Sequence, residues 1–369
     1  MTAINRRTFL GWAAATPMLL HSPMGLAAVD NTAAQRFASA SQAADGLFYL
    51  YLFDGLGQEV ASHPLPSRAH QVIGHPTRPW VLVIARRPGN SIDVFNYKTG
   101  TLVTRINCIH GYHLYGHAQI TQDGHYLLTT EKSPSHDNGR LVVRDITHHF
   151  NIVNEHSTAG IGPHELRLTP DQKTMVIANG GIKTKGRKKI NLDVMQPSLV
   201  YVDIHSGKLL EQVQLPAEYH QSSIRHLDIS PTGQVLLAMQ YQGHLGDTVP
   251  LVALHSRGEE IKPLVIPIQV NGRLNQYCGS ACFDSTGNFA AVSSPRGNLI
   301  TLWNIKARQF HAAIKVNDGC GIAKGQHAGE FVISSGTGRL YTINSQKMIR
   351  TAIPTQLPVK WDNHLSPIS

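Results

Sequence analysis

Gly162-Pro-His-Glu-Leu-Arg-Leu168, running into Thr169-Pro-Asp-Gln172, combines an opening that ends in a histidine, a short apolar-alternating run and a tight turn. Similar openings stand at Ser67-Arg-Ala-His70, Tyr115-Gly-His117, Ile224-Arg-His226, Tyr277-Cys-Gly279, Asp318-Gly-Cys320 and Trp361-Asp-Asn-His364. Most of them lead into turns of the same kind, such as Thr121-Gln-Asp-Gly124, Ser230-Pro-Thr-Gly233 and Asp284-Ser-Thr-Gly287. Turn chemistry of this sort joins antiparallel strands. The openings recur every roughly 40 to 60 residues, the period of a propeller blade rather than of a helical repeat. Seven openings predict an all-β, seven-bladed β-propeller.

The second and third strands of the blades are legible as alternating, β-branched runs, for example Trp80 to Arg86 with Ser91 to Asn96, and Phe289 to Ser293 with Leu299 to Ile305. The last unit supplies only an inner strand near Trp361 to Leu365. The missing three are read at the other end of the chain, in Arg36 to Ser41, Leu47 to Asp54 and Gln58 to Leu65. Closing one blade from both termini leaves no free sheet edge.

Residues 1–27 are set apart from this domain. Asn5-Arg-Arg-Thr-Phe-Leu10 followed by the apolar Gly11 to Leu20 is the pattern of a twin-arginine export signal, with cleavage expected after Ala27. The apolar run is too short to span a bilayer. The expectation is a soluble periplasmic protein, exported folded, whose residues 28–369 form the propeller. Export argues against a nucleic-acid partner. Four cysteines, Cys108, Cys278, Cys282 and Cys320, allow three pairings. Cys278 and Cys282 on one extended strand stand roughly 13 Å apart, beyond disulfide reach. Cys320 is the better partner for either, and buried free thiols are the alternative. No Cys-x-x-Cys-His motif for covalent haem occurs.

In a propeller, the loops entering the inner strands and those joining second to third strands emerge on one face. That face collects His70, His117, His164, Glu165, Arg225, His226 and His364 from the openings, and Arg87, Glu131, Arg187 and Arg296 from the other loops. The chain holds 21 histidines, and neutral imidazole is a common transition-metal ligand. His117, His164, His226 and His364 are therefore the candidate metal ligands. The alternative is that these polar groups bond across blade interfaces. Glu165 and Arg167 share one side of their strand, as His226 and Asp228 share one side of the next.

The formal charge is +9, or +7 without Arg6 and Arg7, and the segment 183–189 carries Lys183, Lys185, Arg187, Lys188 and Lys189. A cationic rim focuses anions. Arg87, Arg225 and Arg296 adjoin strands and suit bidentate recognition of carboxylates. His70, Arg87, Glu131, His164, Glu165, Arg187, Arg225 and Arg296 form the candidate ligand-binding set. No Gly-x-Ser-x-Gly elbow is present, and the openings supply few carboxylates for a calcium site. A binding module is favoured, with a metal-dependent hydrolase or oxidoreductase on the same face, or a protein docking scaffold, as alternatives.

Gly160-Ile-Gly-Pro-His-Glu-Leu166, Ala178-Asn-Gly-Gly-Ile182, Asn191-Leu-Asp-Val-Met-Gln-Pro-Ser-Leu199, Ser223-Ile-Arg-His226, Gln240-Tyr-Gln-Gly243 and Ser294-Pro-Arg-Gly297 together resemble the bacterial domain-of-unknown-function 1513 family. The resemblance extends over almost the whole of the expected mature chain. It implies a periplasmic seven-bladed propeller encoded beside iron-acquisition components of the imelysin and dihaem peroxidase type. Iron-uptake proteins or an anionic metal chelate are then the expected partners. It carries over no catalytic residues.

Overall fold

Alternating apolar side chains on short strands need a second layer to cover each face, and in this chain the core clusters join each blade to its neighbours. The computed structural model describes residues 35–185 and 188–368. The export signal expected at residues 1–27 and Arg187 lie outside the described residues. Among the described residues seven four- or five-stranded sheets form the blades of a propeller, and an eighth sheet is the short pair Thr184–Lys185 with Lys188–Lys189. The inner strands of blades 1 to 6 are Ala69–Gly74, His113–Ile120, Pro163–Leu168, Ser222–Ile229, Ser280–Phe283 and Gly319–Lys324. Each opens a four-stranded antiparallel sheet. In blade 7 the inner strand is split into Val359–Trp361 and Ser366–Ile368, both paired with Arg36–Ala43, which pairs in turn with Phe48–Asp54 and then Glu59–Leu65. The two ends of the chain thus close the ring as the sequence predicts.

The apolar core is divided among the blade interfaces. Leu82, Ile84 and Val94 of blade 1 pack on Leu114, Ala118 and Leu127 of blade 2. Phe331 and Ile333 of blade 6 pack on Ile300 and Leu302 of blade 5. At the closure, Phe37, Phe53 and Trp361 of blade 7 pack against Ala323 and Val332 of blade 6. Trp361 meets Tyr51 edge-on at 6.0 Å and Phe53 at 5.1 Å, so the seam of the ring is among its most aromatic places. All four thiols are free, with Cys278, Cys282 and Cys320 buried, so the pairing left open by the sequence is decided for free thiols. No helix among the described residues is long and apolar enough to cross a membrane.

Polar side chains link neighbouring inner strands. Gln71 Oε1 accepts from Ala118 N at 2.8 Å, Glu165 Oε2 from Leu227 N at 3.3 Å and Asp228 Oδ2 from Phe283 N at 2.8 Å. These bonds satisfy backbone groups that face the axis, where the inner strand has no further strand to pair with. The cross-blade bonding expected for Glu165 and Asp228 is therefore present, and it coexists with the histidine cluster.

Candidate functional site

The inner strands do not run straight into the channel. Register with the second strand breaks between Ala69 and Val72, between Leu114 and Ala118, between Pro163 and Leu166, and between Ile224 and His226. His70, His117 and His164 lie inside the first three breaks; the fourth contains Arg225, with His226 next to it. His364 lies in residues 362–365, between the two halves of the blade 7 inner strand. A bulge re-aims a side chain that strict alternation would send elsewhere, and His70, His117 and His164 each sit in one.

Five imidazoles meet there. His117, fully buried, has ring-to-ring distances of 4.7 Å to His70, 4.6 Å to His164, 5.7 Å to His226 and 4.6 Å to His364. His117 Nε2 and His364 Nε2 are 3.0 Å apart. Two triads, His70 with His117 and His364, and His117 with His164 and His226, each bring one nitrogen per residue within 4.8 Å of the others. His70, which the sequence assigns to the ligand-binding set, thus joins the four candidate metal ligands. The signal that places it there is in the sequence, because His70 stands in a strand opening as the other four do, and like His164 it lies two residues before pairing with the second strand resumes.

Gly116 makes the packing possible. Its φ is +105°, and a Cβ at that position would lie 2.5 Å from the His70 ring. Residues 362–364 are clasped from both sides: Arg68 grips Asp362 through Nε at 2.6 Å and Nη2 at 3.1 Å, and Ser39 Oγ donates to the His364 carbonyl at 2.7 Å. His226 Nδ1 is 3.0 Å from Glu165 Oε2, and Glu165 is in turn paired with Arg167 at 2.7 Å. Glu165 therefore orients a histidine instead of facing the ligand, an arrangement that fixes a metal ligand's tautomer in many sites.

Burial holds His70, His117, His164 and His364 well below the usual imidazole range, with neighbouring positive groups adding to it, and pushes His226 down to about 3. The five are neutral near pH 7. Both nitrogens of His70 and Nδ1 of His117 are buried without a hydrogen-bond partner. Each such orphan costs on the order of 1–3 kcal/mol. An unfolded imidazole titrates near 6.5, above the folded values, so the unfolded chain binds more protons; stability is full above about pH 6.5 and falls as the pH drops toward 3. For His226 alone this is on the order of 1 kcal/mol at pH 5.5. Melting temperatures of metal-free protein should fall between pH 7.5 and 5.5, and the fall should be shallower in His226→Asn.

The remaining candidates divide. Arg225 is partly buried beside the cluster, with Nε lacking a partner. Arg87 and Arg296 are exposed around it, Arg296 with its guanidinium 4.2 Å from the Tyr277 ring centre. Glu131 is a correction. The sequence places it on the loop face, but it lies on the strand Tyr126–Lys132 with its side chain inside blade 2. There it pairs with Arg140 and Arg144, each at 2.6 Å, and so is withdrawn from any ligand. Arg140 and Arg144 drew no attention in the sequence because Arg140 faces Glu131 only once the strand Asn138–Asp145 pairs with Tyr126–Lys132.

The model of a family described as "Protein of unknown function (DUF1513)" matches residues 63–368. No curated protein matches the chain. Among solved structures, Kuenenia stuttgartiensis hydrazine synthase is similar, with a TM-score of 0.59 and 15% identity over 86% of this chain and 95% of that one. At that identity the likeness is one of fold.

Proposed function

This chain belongs to the DUF1513 family, and on that premise we propose that it is a metal-binding propeller whose five axial histidines hold a transition-metal ion. The observation that carries this reading is the two histidine triads sharing His117, buried and closely spaced, with orphaned nitrogens among them. Ligand nitrogens at about 2.0–2.1 Å from one zinc-like ion lie about 3–4 Å apart, within the spacing of each triad. Neutral imidazole suits Zn, Cu, Ni and Fe(II), and the absence of a carboxylate in either triad disfavours Mg and Ca. The export signal and the iron-acquisition setting implied by the family resemblance make a periplasmic binding module in iron uptake the setting we propose. No catalytic role is needed for that.

The test is elemental analysis of the full chain purified without a histidine tag, followed by anaerobic titration with Fe(II), Cu(II) and Zn(II). About one tightly held ion per chain is expected. A wild-type protein that takes up none of the three overturns the proposal. Glu165→Gln keeps a hydrogen-bond acceptor for His226 but removes the charge, and should weaken metal binding by roughly 10–100-fold. An unchanged affinity would confine Glu165 to its bond with Leu227.

A further inference from the structure

The charge around the cluster does not balance. Asp362 is committed to Arg68 at 2.6 Å and to Arg86 at 3.6 Å. Glu165 is committed to Arg167, and Asp137, at the edge of the same face, to Lys183 at 2.8 Å. Arg225, one residue nearer the strand opening than His226, stands in no ion pair among the described residues, and its buried Nε has no hydrogen-bond partner. Its Nη1 would lie 3.3 Å from a Cβ on Gly180, so the glycine backbone packs close against the guanidinium. Burial first, and then the charge of Arg87, push it down to about 10. Lys189 also feels Arg225, Arg296 and Arg87, after its own burial. A divalent ion on neutral imidazoles would add two more positive charges beside this group, with Glu165, Asp362 and Asp137 already engaged by other cations. Uncompensated charge away from water is costly.

We propose that Arg225, assisted by Arg87, binds a small oxyanion of the carboxylate or phosphate class at the mouth of the channel, and that this anion is bound together with the metal and supplies it an oxygen ligand. A guanidinium offers paired N–H donors that match two oxygens of such a group. The anion offsets charge for both cations, so each of metal and anion binds more tightly in the presence of the other, by the same factor. This inference rests on the metal reading for its cooperative part; the anion site itself does not.

The experiment is a calorimetric and spectroscopic titration of the full chain in chloride-only buffer, with Co(II) as metal probe and oxalate, bicarbonate or phosphate as anion probes. Wild-type protein should bind Co(II) at least tenfold more tightly with one of these anions present, with a change in the visible Co(II) spectrum. Arg225→Gln should lose that gain and keep its Co(II) affinity in chloride; its thermal stability should be unchanged or higher, because Arg225 has no ion pair to lose. Arg87→Gln, at an exposed position, should reduce the gain without removing it. Preference for oxalate or bicarbonate assigns the site to carboxylates, and preference for phosphate to phosphates. Metal binding that is indifferent to every anion in the wild type overturns the proposal. Should no metal bind but the metal-free chain bind oxalate or phosphate through Arg225, the metal reading fails while the anion site stands.

Discussion

His117→Ala should lower metal affinity by more than 100-fold, beyond the 10–100-fold that loss of an outer partner costs. His117 is the residue common to both triads, and every other imidazole of the cluster touches it. Removing it dismantles both, whereas His70→Ala leaves His117, His164 and His226 in place and His226→Ala leaves His70, His117 and His364. The single variants should therefore rank with His117 far ahead. Saturating metal should raise the melting point of the wild type, by about 4 kcal/mol of added stability at a thousandfold excess over the dissociation constant, and that rise should vanish in His117→Ala. The mutation also opens a cavity, so the melting point without metal is the reference for each variant. Equal losses in all five histidine variants would mean that no triad acts as a unit and would count against the shared-ligand arrangement.

Glu131→Ala should cost about 3–5 kcal/mol of folding stability, the usual consequence of stripping one partner from a buried ionic group. Glu131 is fully buried and accepts from Arg140 Nη2 and Arg144 Nη2, both at 2.6 Å. Arg144 is 2% exposed and keeps only a bond to Thr129 Oγ1 at 2.8 Å once the carboxylate is gone. Arg140 keeps Glu155 at 2.6 Å and its stacking on Tyr112 at 3.6 Å, so most of the penalty falls on Arg144. Replacing Glu131 and Arg144 together by apolar residues of similar volume should recover much of the loss, because it removes the charges as a set. Denaturant unfolding checks both. Metal stoichiometry should be unaffected, and a variant that kept its stability but lost metal would return Glu131 to the ligand face.

The propeller was legible in the amino-acid order because its signals are local. An opening, an alternating run and a turn such as Ser230-Pro-Thr-Gly233 recur at a near-constant period, and the three strands left over at the start of the chain match the one missing at its end. The histidines of the candidate site were legible for a related reason: each stands in the opening of an inner strand, and a propeller brings those openings together around its axis.

What the order of residues leaves undecided is anything that depends on a break in that symmetry or on partners that only strand pairing and blade packing bring together. Glu131 reads as a loop carboxylate until the sheet of blade 2 sets Arg140 and Arg144 against it, within hydrogen-bond reach. Glu165 reads as a ligand until its strand is seen to stand beside His226. Arg68 reads like Arg225, yet Asp362, 294 residues away in the chain, neutralises one of them and leaves the other alone. The sequence determined the ring, its closure and the set of imidazoles on its axis, since periodicity and alternation are properties of neighbours along the chain. Only the tertiary structure decided which charges cancel, because a charge is matched by whatever the fold brings within a few ångströms of it, and the bulges that turn the histidines inward exist only once one strand is paired with the next.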